Sequence, residues 1–215
     1  MIGERFEIEV IYKDSFIVVV NKPGGLLSVP GRGPDKQDCL VNRIKKIYPE
    51  CIPQPSVHRL DMDTSGLIVL GLTTEAHKNL SMQFQKRSVK KQYIAILEGI
   101  IEKECGEIKL PFRLDITNRP YQVYDPVNGK MGTTHWKKIK TSNDQTRILF
   151  TPLTGRTHQL RVHSSHPMGL GFPIAGDRLY GYGKPGDPLF LHATSLNFIH
   201  PDNNKSLCFE CPPWF

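Results

Sequence analysis

The sequence predicts an α+β fold: a single domain over residues 1–215 with a large mixed, mainly antiparallel β-sheet flanked by helices and loops. Three observations predict it. Runs with strand character outnumber runs with helical periodicity. Many of the strands are joined by short connections rich in turn residues, as in hairpins. The regular strand–helix alternation of a doubly wound parallel sheet is missing.

The elements follow in chain order. Glu7–Tyr12 alternates charge and bulk, and Phe16–Val20 is apolar and β-branched, so Lys13-Asp14-Ser15 between them makes a hairpin. Asn21-Lys-Pro-Gly-Gly25 ends the second strand with turn residues. Leu40, Val41, Ile44, Ile47 and Tyr48 recur at helical spacing, and Pro49 stops that helix. Leu67–Leu72 is a buried strand, after which Thr73 or Thr74 caps a helix with Ala76, Leu80 and Phe84 on its apolar face. Tyr93–Leu97, His135–Lys140, Arg147–Phe150, Leu189–Phe198 and Leu207–Cys211 are further strands, and Arg156–His163 is a short helix after the Gly155 turn. Lys103–Lys130 is rich in Pro, Gly, Asn and Asp. It is expected to be an elaborated connection within the domain, since it still holds Ile108, Leu110, Phe112 and Leu114.

Composition narrows the class. Hydrophobic residues make up 39% and charged residues 23%, which is globular composition rather than disorder. The 28 Lys+Arg against 21 Asp+Glu leave a formal charge of +7, pointing to an anionic partner: nucleic acid first, an acidic membrane surface second. The longest apolar runs, Phe16–Val20 and Leu67–Leu70, fall far short of the ~20 residues a bilayer requires, so no membrane span is expected. Met1–Glu7 carries acids and is followed by no apolar stretch, unlike a secretory signal. The five cysteines are odd in number and fit reduced thiols in the cytoplasm.

Three segments carry chemistry. His58-Arg-Leu-Asp-Met-Asp-Thr-Ser-Gly66 packs a base, two acids and two hydroxyls into one loop ahead of a buried strand. Asp61 could serve there as nucleophile or general base; the alternative is a turn held by its own side chains. Gly155-Arg-Thr-His-Gln-Leu-Arg-Val-His163 places Thr157 and Arg161 one helical turn apart, as it does His158 and Val162. An arginine there could orient the Asp61 carboxylate; the alternative is a solvated basic helix. Lys86-Arg-Ser-Val-Lys-Lys-Gln-Tyr93 leads basic residues into an aromatic, the combination that holds single-stranded RNA; the alternative puts Tyr93 in the core. His158, His163 and His166 lack the spacing of two ligands on one helical face, so no metal is expected. Gly181-Tyr-Gly-Lys-Pro-Gly186 matches a dinucleotide fingerprint, but prolines forbid the helix that should follow, and Cys208-x-x-Cys211 lacks the second pair of a zinc ribbon.

Taken together and in this order, the segments resemble the blocks of the RluA family of pseudouridine synthases. His58–Gly66 is similar to the family signature, Asn21–Ser28 to its N-terminal block, Lys91-Gln-Tyr93 to its K-x-Y block, and Gly155–His163 to its third block. Pro173–Tyr180 and Leu191-His-Ala193 resemble the closing blocks, so the likeness spans Glu7 to Phe215. The resemblance implies the pseudouridine synthase fold, with an active-site cleft across the sheet and no cofactor or metal. It implies a chain lacking the S4-type N-terminal domain of many relatives, from a branch acting on large-subunit rRNA and the anticodon stem-loop of tRNAs. A monomer is expected.

The implied reaction breaks N1–C1′ of a uridine, turns the uracil and forms C5–C1′. Asp61 would be the essential carboxylate, attacking C1′ or removing the C2′ proton. Tyr93 would stack on the flipped uracil, and Arg161 would pair with Asp61. Arg59 would fill the gap left by the flipped base and Leu160 would wall the base pocket, with His58, Lys91 and Thr64 as further RNA- or base-binding residues. A catalytically silent RNA-binding module is the competing reading, though binding alone has no need of a carboxylate in a basic groove. A metal-dependent hydrolase using His158, His163, His166 and Asp61 is the third. Ala76–Lys91 holds five bases and no acid, and Lys137–His166 six bases against Asp144 alone, so the charge is expected to form a basic rim around an RNA cleft.

Overall fold

The computed structural model describes residues 8–215, so the reading of Met1–Glu7 as no signal, and a first strand beginning at Glu7, lie outside the described residues. The elements in chain order are β1 (Glu9–Lys13), β2 (Ile17–Lys22), α1 (Leu40–Ile47), β3 (Ser65–Gly71), α2 (Thr74–Gln85), β4 (Lys90–Leu97) and β5 (Cys105–Leu114). There follow β6 (Gln122–Tyr124), β7 (Lys130–Ser142), β8 (Gln145–Pro152), α3 (Gln159–Ser165), β9 (Leu191–Ile199) and β10 (Ser206–Glu210). Within each compact unit of the chain, the strand pairs are antiparallel except β3 with β9, which is parallel, so the sheet structure is mixed and mainly antiparallel. No helix among the described residues is long and apolar enough to cross a membrane. The chain divides into two compact units, one of residues up to Lys91 with His192–Trp214, the other of Gln92–Leu191 with Phe215.

In the first unit β1 and β2 form the expected hairpin, and β2 pairs with β3 over its whole length. The turn forms because the Asp14 carboxylate accepts the N–H groups of Phe16 and Ile17 at 2.7 and 2.9 Å. Val18, Val20, Ile68 and Leu70 are buried as fully as Ile17, Val19, Leu67 and Val69. Both faces of β2 and β3 are therefore covered, which is why these segments read as unbroken apolar runs. Helix α1 buries Leu40, Val41 and Ile44. Thr73 caps α2 by accepting the Ala76 N–H at 3.2 Å, and the helix buries Ala76 and Leu80. Burying a leucine such as Leu80 contributes about 2 kcal/mol. β9 from His192 onward pairs with β3 in parallel at Ser65 and Gly66, and with β10.

In the second unit the order is β4-β8-β7-β5-β6, all antiparallel. β7 and β8 turn through Asn143 and Asp144, both left-handed (φ 50° and 58°), the geometry of a tight hairpin. The core gathers Leu97, Leu110, Phe112, Trp136, Phe150 and Leu160.

Two expectations are corrected here. The connection expected over Lys103–Lys130 contains β5, which pairs with β7 from Cys105 to Phe112, and β6. Ile108, Leu110 and Phe112 alternate inward as a strand requires, and Pro111 and Gly106 disguised the pattern. The helix expected at Arg156 begins at Gln159 instead, because His158 is left-handed (φ 56°) and the Gln159 Oε1 takes the Arg156 N–H at 3.0 Å. Thr157 therefore lies outside the helix and shares no helical face with Arg161. The solvated-helix alternative also fails, since Gln159 through Ser164 are all buried.

Candidate active site

In the first unit the loop His58–Thr64 leads into β3, and its backbone is held by the segment just after β2. Ser28 Oγ donates to the Leu60 carbonyl at 2.6 Å and accepts the Leu60 N–H at 3.1 Å. The Met62 carbonyl accepts the Gly25 N–H at 2.9 Å and the Lys22 ammonium at 3.0 Å. Lys22 is fully buried and donates as well to the carbonyls of Pro23 and Leu26, both at 2.8 Å. Burial pulls its amine down to about 7, against the opposing attraction of Asp63 and Asp61. Asp61 is thus flanked on both sides by anchored peptide groups. The carboxylate itself is half-buried and makes no hydrogen bond or ion pair to another described residue, so its oxygens are free to meet a substrate.

The end of the signature has a steric reason. Gly66 sits at φ +112°, and a Cβ there would lie 2.4 Å from the Ala193 carbonyl oxygen. Only glycine lets β3 approach β9 this closely.

His58 takes a bracing place. Its ring stacks on Phe84 with centroids 4.3 Å apart, and its Nε2 accepts the Val69 N–H at 3.2 Å. Burial, with Lys91 nearby, pulls the imidazole down to about 3, so it is neutral at physiological pH. This ring packs the loop onto β3 and α2. Lys91 is half-buried with its amine 5.9 Å from the Phe84 ring centre, and burial lowers its pKa. Arg59 is exposed. Thr64 is buried, and its hydroxyl has no hydrogen-bond partner among the described residues. Lys78, Lys86, Arg87 and Lys90 are exposed on and just beyond α2, which makes this stretch a solvent-facing basic surface.

In the second unit Tyr93 lies on β4 opposite Phe150 and packs half-buried against the core. Leu160 is buried in that core. Arg161 is 2% exposed, and its guanidinium forks onto Asp177, which is fully buried, at 2.8 and 2.6 Å. Asp177 is a partner of Arg161 that the sequence reading did not name. Burial works to raise the Asp177 pKa, but the bonds and charge of Arg161, with the N–H groups of Tyr180 and Leu179, hold it below the usual carboxylate range. The Arg161 guanidinium also lies 5.4 Å from the Tyr180 ring centre. Tyr180 Oη accepts the Gln122 N–H and lies within hydrogen-bond reach of His158 Nδ1, both at 2.8 Å. Gln159 donates to the Thr133 carbonyl and the Thr134 hydroxyl, fixing α3 to β7.

The three histidines of the hydrolase reading are occupied differently. His158 meets Tyr180, His166 Nδ1 accepts the Met168 N–H, and His163 is fully buried with both ring nitrogens unpartnered among the described residues. No cluster of three or more His, Cys, Asp or Glu that could hold a metal occurs among the described residues. Lys22, Ser28, Gln159, Asp177 and Tyr180 are the positioning groups that sequence reading missed. Lys22 read as a turn residue, although its place at the end of an apolar strand was a signal.

The model of the family described as RNA pseudouridylate synthase matches residues 16–166. The chain belongs to this family. This pseudouridine synthase is 44% identical over 215 residues to the dual-specificity RNA pseudouridine synthase RluA of Haemophilus ducreyi, covering 97% of this chain and 94% of that one. It is 42% identical over 210 residues to the RluA enzyme of Escherichia coli strain K12, covering 96% and 93%. Among solved structures it is similar to human RNA pseudouridylate synthase domain containing 1, with a TM-score of 0.77 at 26% identity over 98% of this chain and 85% of that one. The pseudouridine synthase is therefore an isomerase of the RluA family, and its mixed sheet with three helices among the described residues is the family's fold.

Proposed function

We propose that this pseudouridine synthase isomerises chosen uridines in structured RNA, in large-subunit rRNA, a tRNA anticodon stem-loop, or both, with Asp61 as the essential carboxylate. The observation that carries the role of Asp61 is its setting: an unpaired carboxylate on a loop whose flanking peptides are anchored by Ser28 and Lys22. A reacting group held this way needs little reorganisation when substrate arrives. The names of the RluA relatives, dual-specificity RNA pseudouridine synthases, support the substrate class.

The target atom is inaccessible inside a stacked helix, so the uridine must leave the stack at a cost of a few kcal/mol, least in a loop. Arg59, exposed on the Asp61 loop, fills the vacated space. Tyr93 stacks on the uracil and assists loss of the C5 proton, while Leu160 gives the detached base an apolar wall. Arg161 supplies the positive charge that offsets Asp61. Lys91 and Thr64 contact the RNA or the base. The exposed lysines and arginine around Lys86 hold phosphates. Residues 1–215 work as one catalytic domain, as a monomer in the cytoplasm.

The test uses RNA carrying tritium at uridine C5, because forming C5–C1′ expels that hydrogen. The protein should release tritium from a ribosomal fragment or an anticodon stem-loop. Asp61→Asn should abolish release while keeping RNA affinity within a few-fold, since phosphate contacts dominate binding. Absence of release from all cellular RNA, or turnover by Asp61→Asn, would overturn the proposal.

A further inference from the structure

The first unit contains a cavity of about 710 Å³ on the other side of Arg59 from the signature aspartate in sequence, lined by residues of α1, the segment after β2 and the segment leading into the signature. Its volume lies within the range of sites that hold small organic molecules, about 300–1,000 Å³. Its composition is specific. Val29, Val41 and Val57 supply apolar walls on which a flat ring can rest. Asn42 and Gln54 supply two carboxamides, each able to donate and accept at the edge of a base. Lys45 and Arg59 supply two cations, and no acid lines the cavity. Gln54, Lys45 and Arg59 make no hydrogen bond or ion pair to other described residues, so their polar groups are available to a ligand. Asn42 donates one amide hydrogen to the Gln37 carbonyl at 2.7 Å, which aims the side chain.

We propose that this cavity holds a second nucleotide of the same RNA strand, next to the target uridine, with its base between the valines, its edge read by Gln54 and Asn42, and its phosphate on Lys45. The inference rests on the RNA pseudouridine synthase reading and adds a specificity site to it. Position supports it: Arg59 lines the cavity and is two residues from Asp61, so their Cα atoms are at most about 7 Å apart. That separation is within the reach of neighbouring nucleotides of one strand, one at Asp61 and the next in the cavity. Two extrahelical nucleotides held side by side give the enzyme a way to select a loop by sequence, which phosphate contacts cannot do.

A free mononucleotide has the same chemistry, so the experiment separates the two sources. A stem-loop RNA is made abasic in turn at each of the three positions on either side of the target. Binding and single-turnover conversion are then measured for the wild type and for Gln54→Ala, an exposed position without internal bonds. One abasic position should weaken wild-type binding by about tenfold, the worth of one good base contact. Gln54→Ala should lose a similar factor on intact RNA and suffer no further penalty at that position. Lys45→Gln should reduce the slope of log affinity against log salt by about one. Equal abasic penalties in wild type and variant would overturn the inference. So would saturable binding of AMP, GMP, CMP or UMP that Gln54→Ala abolishes without any abasic coupling. If binding shows the coupling but no RNA releases tritium, the proposed activity falls and the cavity assignment stands.

Discussion

Lys22→Met offers a quantitative test of how the Asp61 loop is held. Methionine keeps the length and most of the packing of the buried side chain but removes the donors that meet Pro23, Leu26 and Met62. Burial has drawn the Lys22 amine from 10.5 down to about 7, so the folded protein binds this proton more weakly than the unfolded chain does. Between those two pH values the unfolded state holds more protons, and wild-type stability rises with pH. From pH 6.5 to 9.5 the gain is about 3 kcal/mol at 1.36 kcal/mol per unit. Methionine has no such proton. The destabilisation caused by Lys22→Met should therefore be modest at pH 6.5, where relief of the buried charge offsets the lost bonds, and about 3 kcal/mol larger at pH 9.5. Urea unfolding followed by the fluorescence of buried Trp136 reads both values. A difference between wild type and variant that stays constant to within about 0.5 kcal/mol across this range would refute the reasoning, that being the ordinary scatter between independent sites.

Other consequences are measurable in the same way. Ser28→Ala strips both the N–H and the carbonyl of buried Leu60 of their side-chain partner; it should lower stability by about 2 kcal/mol in urea and slow tritium release, leaving RNA affinity less affected. Arg161→Lys keeps the charge but not the two-pronged contact with buried Asp177, and should cost about 3 kcal/mol by thermal or urea unfolding. Burial holds His163 and His192 down to about 4, and burial with Lys91 holds His58 down to about 3. All three take up protons on unfolding below about pH 6.5, so stability should fall between pH 6.5 and 4 by up to about 4 kcal/mol per pH unit, as acid titration by circular dichroism would show. RNA affinity should drop steeply between 50 and 200 mM salt, while single-turnover conversion of prebound RNA changes little.

The sequence was legible where one local rule acted alone. The β1–β2 hairpin, α1 and the Thr73 cap each follow from spacing and one turn or cap residue. It was illegible where a side chain acts at a distance. Nothing local says that Gln159 ties α3 to β7, or that Arg161 forks onto Asp177, since these partners are 25 and 16 residues away. β5 was hidden because Pro111 and Gly106 are ordinarily turn residues, and here long pairing with β7 overrides them. In the signature, Asp61 stood out as a chemical group, whereas the stacking of His58 on Phe84, 26 residues along the chain, had no local signal. A reactive side chain advertises itself by type; a supporting one is known only by its neighbours.

The unit that bears Asp61 is discontinuous in the chain. It opens with the strands before Lys91 and closes with those after His192, and the other unit is spliced between them. During synthesis the ribosome delivers β3 long before β9, its parallel neighbour. Residues 92–191 bring the mutually paired strands β4, β8, β7, β5 and β6 together in the chain before β9 is complete, and domains fold as units during synthesis. A nascent chain thus gains a folded middle while the loop around Asp61 still lacks its last supporting strand. A chain truncated before His192 lacks the strand that pairs with Ser65 and Gly66, so it should yield an inert product.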